Sequence, residues 1–189
     1  MKKRFLLLAA ALICVLAPIP ASADTKSEML MWVADAESKL NQLAEAMPAN
    51  KYAWRPGKGV RSVGEVYMHV ASANFGIPTL WGAKPPAGFD IRTYEKSLTS
   101  KADIQKALKE SFVSVKANIE AMSEADMEKP VNLFGTQTTA RGACMLIMSH
   151  AHEHLGQSIA YARTNKVTPL TRTSTSSLGY VPVVAPASK

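Results

Sequence analysis

Cysteine is nearly missing from this chain of 189 residues: it has two. Cys14 falls in a leader-like N-terminal stretch, which leaves Cys144 alone in the remainder. No intramolecular disulfide can staple the fold, so stability must come from packing, helped by a metal where one binds. Dense basic patches are missing too, which argues against nucleic acid as a partner. No serine or cysteine stands in a recognisable pattern with a paired base, so a covalent nucleophile is not evident. Cys144 itself reads as a small core residue. There is no internal repeat and no low-complexity domain.

One apolar run is present, and it is short. Met1-Lys2-Lys3-Arg4 precedes a nearly unbroken apolar stretch from Phe5 to Ile19, followed by Pro20-Ala21-Ser22-Ala23. A basic start, an apolar middle and an Ala-x-Ala site identify residues 1–23 as a secretory signal peptide. A bilayer span needs about 20 apolar residues, more than this run supplies. Cleavage leaves Asp24 first, a mature chain of 166 residues (189 less 23) and a formal charge lowered from +7 to +4 by loss of Lys2, Lys3 and Arg4. The expected address is periplasmic or secreted, with no stable membrane anchor after cleavage.

What remains is patterned as helices. Met29, Val33, Ala36, Leu40, Leu43 and Met47 recur every three or four residues, predicting an amphipathic helix over 26–47 that Pro48 ends. Ser62-Val63-Gly64-Glu65 is a capping box opening a second helix, which buries Val63, Val66, Val70 and Ala73 and runs to about Leu80 with a kink at Pro78. Between them, Pro56, Gly57 and Gly59 make a loop whose Tyr52 and Trp54 pack on the bundle end. Residues 81–98 form a long crossover with a short helical turn near 92–96. Ser100 caps a third helix with the stripe Ile104, Leu108, Phe112, Val115, Ile119 and Met122. Ser123 starts a short turn, and residues 130–138 read as an exposed link, with Phe134-Gly135 a candidate for a pocket mouth. The fourth helix spans about 139–165 and buries Met148, Ala151, Leu155, Ile159 and Ala162. Beside that stripe lies a polar one of His150, His154, Gln157 and Tyr161, as suits a helix facing a core and a cavity together. The fold class is therefore all-α, a four-helix bundle with one long crossover connection, over residues 24–169, with a mobile or extended tail over 170–189.

The four histidines carry the chemistry. At about 100° per residue, His150 and His154 stand one turn apart on one face, where both imidazoles can meet one ion. His152 points roughly 160° away from His154 and cannot join them. His69 sits at the edge of the buried face of the second helix, where the plainer reading is a core-edge histidine bonded to a carbonyl. Glu65, one turn before it, could orient His69 or serve the site directly.

Two blocks resemble signatures of the DinB/YfiT-like superfamily. Trp54-Arg55-Pro56, Val60-Arg61-Ser62-Val63-Gly64-Glu65 and His69 are similar to its N-terminal block. His150-x-x-x-His154-x-Gly156-Gln157 followed by Tyr161-x-Arg163 is similar to its C-terminal block, with Leu155 where the family commonly has a basic residue. The resemblance implies a four-helix bundle whose three histidines, here His69, His150 and His154, bind a divalent metal, zinc or nickel being the expected ions. It also implies kinship with thiol-dependent S-transferases and a maleylpyruvate isomerase type. Three histidines leave a coordination position open, the arrangement of catalytic zinc, and such an ion can activate water or a thiol at neutral pH. The expected function is thus a metal-dependent hydrolase or thiol transferase acting on a small molecule, with Glu65 or Glu153 as candidate bases. The alternative is a non-catalytic envelope bundle whose metal is structural or adventitious. A homodimer is one assembly such a bundle can form.

If residues 1–23 are a cleaved leader, the intact mass of exported protein corresponds to a chain beginning near Asp24. Soluble exported protein that keeps residues 1–23 overturns this.

Overall fold

The computed structural model describes residues 24–168. The expected leader at 1–23 and the expected tail at 170–189 lie outside the described residues. Four long helices form the body: α1 (Thr25–Ala46), α2 (Val63–Gly76), α3 (Lys101–Glu120) and α5 (Ala140–Thr164), with a four-residue helix α4 (Glu124–Met127) between the last two. Each begins at a side-chain cap that satisfies free helix-start amides. Asp24 accepts from the Ser27 amide at 2.7 Å, Ser100 from Asp103 at 3.1 Å and Thr139 from Gly142 at 3.2 Å. The box at Ser62 is complete. Its hydroxyl accepts from the Glu65 amide at 3.2 Å, and the Glu65 carboxylate accepts from the Ser62 amide at 2.7 Å.

Helix α1 packs on α3 and α5, and α2 also packs on α3 and α5. Helices α1 and α2 therefore face each other diagonally across the bundle. The apolar stripes predicted for α1 and α3 are buried throughout, from Met29 to Met47 and from Ile104 to Met122. Between α2 and α3 the core includes one polar contact, the Asn74 amide donating to the Ser111 hydroxyl at 3.1 Å.

Three sequence expectations are corrected. The α-helical part of α2 stops at Gly76 and continues to Trp81 as a tighter 3₁₀ turn. Pro78 brings no amide to the helical ladder, and the chain tightens there instead of kinking. The supposed link at 130–138 is an antiparallel hairpin, β1 (Pro130–Leu133) with β2 (Thr136–Thr139), so the chain is mostly rather than wholly helical. Its two-residue turn holds Phe134 and Gly135 at φ 51° and 95°, as strand twist favours, and the Asn132 side chain caps the Gly135 amide at 2.7 Å. Phe134 stands 74% exposed at the tip. On α5, Cys144, Ile147, His154 and Tyr161 are fully buried while Met148 and Ile159 are only half-buried. Two neighbours, α1 and α2, cover α5, so its buried arc is wider than one stripe.

Gly156 lies on the exposed side of α5, and a Cβ there would meet nothing within 4 Å. Gly156→Ala should stabilise the metal-free protein by about 0.5–1 kcal/mol, because alanine loses less conformational freedom in a helix interior. A higher urea midpoint checks this; a lower one would mean that the position needs its glycine for another reason.

Candidate metal centre

The capping box fixes where α2 begins and so sets His69 two turns inside it. The Thr139 cap does the same for α5, which carries His150 and His154 one turn apart. Because α2 and α5 are neighbours, the three imidazoles converge. His69 Nε2 lies 3.0 Å from His150 Nε2, and one ligand nitrogen from each of the three rings falls within 4.8 Å of the others. His154 is buried, and His69 and His150 are half-buried. His152 turns away: its Nδ1 donates to the Met148 carbonyl at 2.8 Å and its ring meets Trp32 of α1 edge-on at 6.0 Å.

The electrostatics favour the neutral form of His69 and of His150. Burial, with His154, His69 and Arg61 nearby, pushes the His150 pKa down to about 3. Burial, helped by Arg61 and His154, also lowers His69, although Glu95 acts in the opposite direction. Neutral imidazoles keep the lone pairs that a metal needs. The tautomers suit this as well. His69 Nδ1 is 2.9 Å from Glu95 Oε2, and an ionised carboxylate can only accept, so the proton sits on Nδ1 and Nε2 faces the cluster with its lone pair. His154 Nδ1 likewise donates to Gln157 Oε1 at 2.8 Å.

These residues fit a divalent ion. Nitrogens held by tetrahedral zinc at about 2.0–2.1 Å would stand roughly 3.3–3.4 Å apart, against 3.0 Å between His69 and His150 and at most 4.8 Å among the three ring nitrogens here. An all-imidazole donor set suits zinc, nickel, copper or iron. To offer Nε2 to an ion, His150 would carry its proton on Nδ1 in place of the hydrogen bond it now makes to His69.

Neither carboxylate read from the sequence orients the cluster. Glu65 is taken up by the Ser62 amide and, at 3.2 Å, by Arg55, and these contacts hold its carboxyl below the usual range. Glu153 is exposed and is not among the clustered ligands. The carboxylate on His69 is Glu95, from the 3₁₀ turn Tyr94–Lys96 in the crossover. Burial pushes its pKa up, but Arg61 and His69 outweigh burial and hold it below the usual range. Sequence reasoning missed Glu95, which stands 26 residues after His69 in no periodic pattern. Gln157 and Tyr161, which the sequence left between surface and site, are both part of the site's surroundings. The Gln157 amide donates to the Tyr161 hydroxyl at 2.9 Å, and Trp54 packs edge-on against that ring at 5.4 Å. A cleft of about 520 Å³, lined by Arg55, Arg61, Glu65, Glu95, Lys96 and Gln157 among others, reaches the histidines' partners Glu95 and Gln157, while none of the three histidines forms part of its wall.

A family model described as the DinB superfamily matches residues 33–158, well over half of the chain. The chain belongs to the DinB superfamily. Solved structures agree on the fold of this DinB-superfamily chain. A DinB-like protein from Bacillus cereus superposes with a TM-score of 0.66 at 15% identity, covering 77% of this chain and 95% of that one. A DinB-like protein from Bacillus subtilis gives 0.61 at 19% identity, covering 77% and 96%. YfiT from Bacillus subtilis, described as a probable metal-dependent hydrolase with an unusual four-helix bundle topology, gives 0.62 at 15% identity, covering 80% and 95%. No curated protein matches the sequence.

The depressed histidine pKa values give a pH dependence. Above about 6.5 the rings are neutral whether folded or unfolded, and they add no slope. Below that, the unfolded chain binds protons that the folded one refuses, so stability falls as the pH drops from about 6.5 towards 3. Urea unfolding of metal-free protein at several pH values should show this loss, and His150→Gln should flatten it. A slope in His150→Gln equal to that of wild type would contradict the assignment.

Proposed function

We propose that this chain is an exported metal-dependent enzyme, a hydrolase acting on a small molecule, in which His69, His150 and His154 hold one divalent ion. The observation that carries the reading is the convergence of three imidazoles from two helices, with their partners Glu95 and Gln157 in the wall of a cleft. The description of the similarly folded YfiT as a probable metal-dependent hydrolase supports it. Bound in such a nest, a divalent ion supplies Lewis acidity, polarising a substrate oxygen and making water, or a thiol in S-transfer, a stronger nucleophile at neutral pH. The chain's own residues do the rest. Glu95 and Gln157 orient His69 and His154. Arg55, Arg61 and Lys96 outnumber Glu65 and Glu95 in the cleft lining, which favours a substrate carrying a carboxylate or phosphate. A purely structural site calls for a fourth protein ligand, and Glu65, the candidate, is instead bonded to Ser62 and Arg55.

The test is metal content per chain in untagged protein, measured beside chelator-reversible hydrolysis of a panel of small anionic esters. His69→Ala, His150→Ala and His154→Ala should each lose most of the metal and the activity. His152→Ala should keep both. Metal loss in His152→Ala equal to the others, or none in His69→Ala, would show the ligands wrongly assigned; metal binding without any chelator-sensitive turnover would favour a non-catalytic bundle.

A further inference from the structure

Two hydrogen-bond chains leave the histidine cluster in opposite directions and end on the same residue. From His69, Nδ1 donates to Glu95, whose two carboxylate oxygens receive Arg61 Nε at 2.8 Å and Nη2 at 3.1 Å. From His154, Nδ1 donates to Gln157, Gln157 to the Tyr161 hydroxyl, and that hydroxyl to the Arg61 backbone carbonyl at 3.1 Å. Direction is forced at both ends. A guanidinium can only donate and a carbonyl can only accept. The Tyr161 proton must point at Arg61, so Tyr161 accepts from the Gln157 NH₂ group, and the Gln157 oxygen is left for His154. Each arm thus delivers an acceptor to an Nδ1 proton and frees the opposite nitrogen.

We propose that Arg61 is the joint of a closed brace that holds His69 and His154 in the tautomer and orientation a divalent ion requires, so that Arg61, which bonds to no histidine, sets the metal affinity. This rests on the proposed function, in which those histidines bind the ion. The brace has fixed anchors. Ser62, the next residue, is the α2 cap, and Trp54 buttresses Tyr161. Glu95 is carried by a crossover docked through Phe89 and Tyr94 on Phe75, with ring centroids 5.9 and 5.8 Å away. Ile91 of the same segment lies so close to Gly76 that a Cβ there would stand 2.6 Å from its Cδ1. Partners of this kind typically change metal affinity by about 10–100-fold when removed.

The experiment is zinc affinity of the full chain by competition with a chromophoric chelator, with the visible spectrum of the cobalt-substituted protein as a second readout. Arg61→Met should weaken zinc by about 10–100-fold and alter the cobalt bands, while the melting temperature of the metal-free protein changes little. Glu95→Gln should do the same. The double variant should cost clearly less than the two losses combined, because both cut one arm. Arg61→Lys keeps the charge but cannot fork onto both Glu95 oxygens, so it too should lose affinity. Lys106→Met, exposed on α3 and outside the brace, should bind zinc as wild type does. Wild-type affinity in Arg61→Met, or full rescue by Arg61→Lys, overturns the brace, the latter by showing that charge alone suffices. If Arg61→Met does not fold, Glu95→Gln and Gln157→Leu decide by the same readouts, and wild-type affinity in both overturns the brace. A wild-type chain that binds no zinc overturns the proposed function as well, whereas binding that these variants leave unchanged overturns the brace alone.

Discussion

Everything at the candidate centre depends on α2 and α5 lying side by side. One histidine comes from the first and two from the second, and no local segment could bring them together. The contact also sets the chemistry. Burial between helices disfavours protonation of His69 and His150, and an unbraced ring would be free to adopt a useless tautomer. The protein meets the second difficulty with polar partners on both outer edges of the cluster, Glu95 on one side and Gln157 on the other. Hydrophobic packing thus sets the distances, and hydrogen bonds set which nitrogen faces inwards.

Much of this was legible in the sequence, and the reasons are physical. A 3.6-residue period exposes a helix wherever one face is apolar, so the stripes of α1 and α3 could be read position by position. Capping chemistry is local to four residues, so Ser62 and Glu65 announced the start of α2. His150 and His154 were legible as a pair for the same reason, while His69 was linked to them only through a family resemblance. The hairpin was hidden because each strand has four residues, too few for a period of two to stand out, and because its turn places a phenylalanine where asparagine or glycine is usual.

Glu95 was illegible for a different reason. Its role comes from how the crossover folds back on α2, a tertiary fact with no periodic trace. The signal that existed was in Gly76 and the aromatic residues around it. A glycine at the end of a helix, followed by a segment rich in Phe89, Ile91 and Tyr94, is what a close return of the chain looks like in sequence. Glu65 drew attention because it stood one turn from His69, but the capping box had already claimed its carboxylate. A residue with a strong local duty is a poor candidate for a remote one.

The diagonal placement of α1 against α2 has a kinetic consequence. Helix α2 packs on α3, its successor, but among the long helices α1 packs chiefly on α3 and α5, and α5 chiefly on α1 and α2. The last long helix therefore closes two of the four interhelical seams at once, joining segments that are distant in the chain, a topology that slows folding relative to a simple up-and-down bundle. The histidine cluster is complete only once α5 has docked on α2.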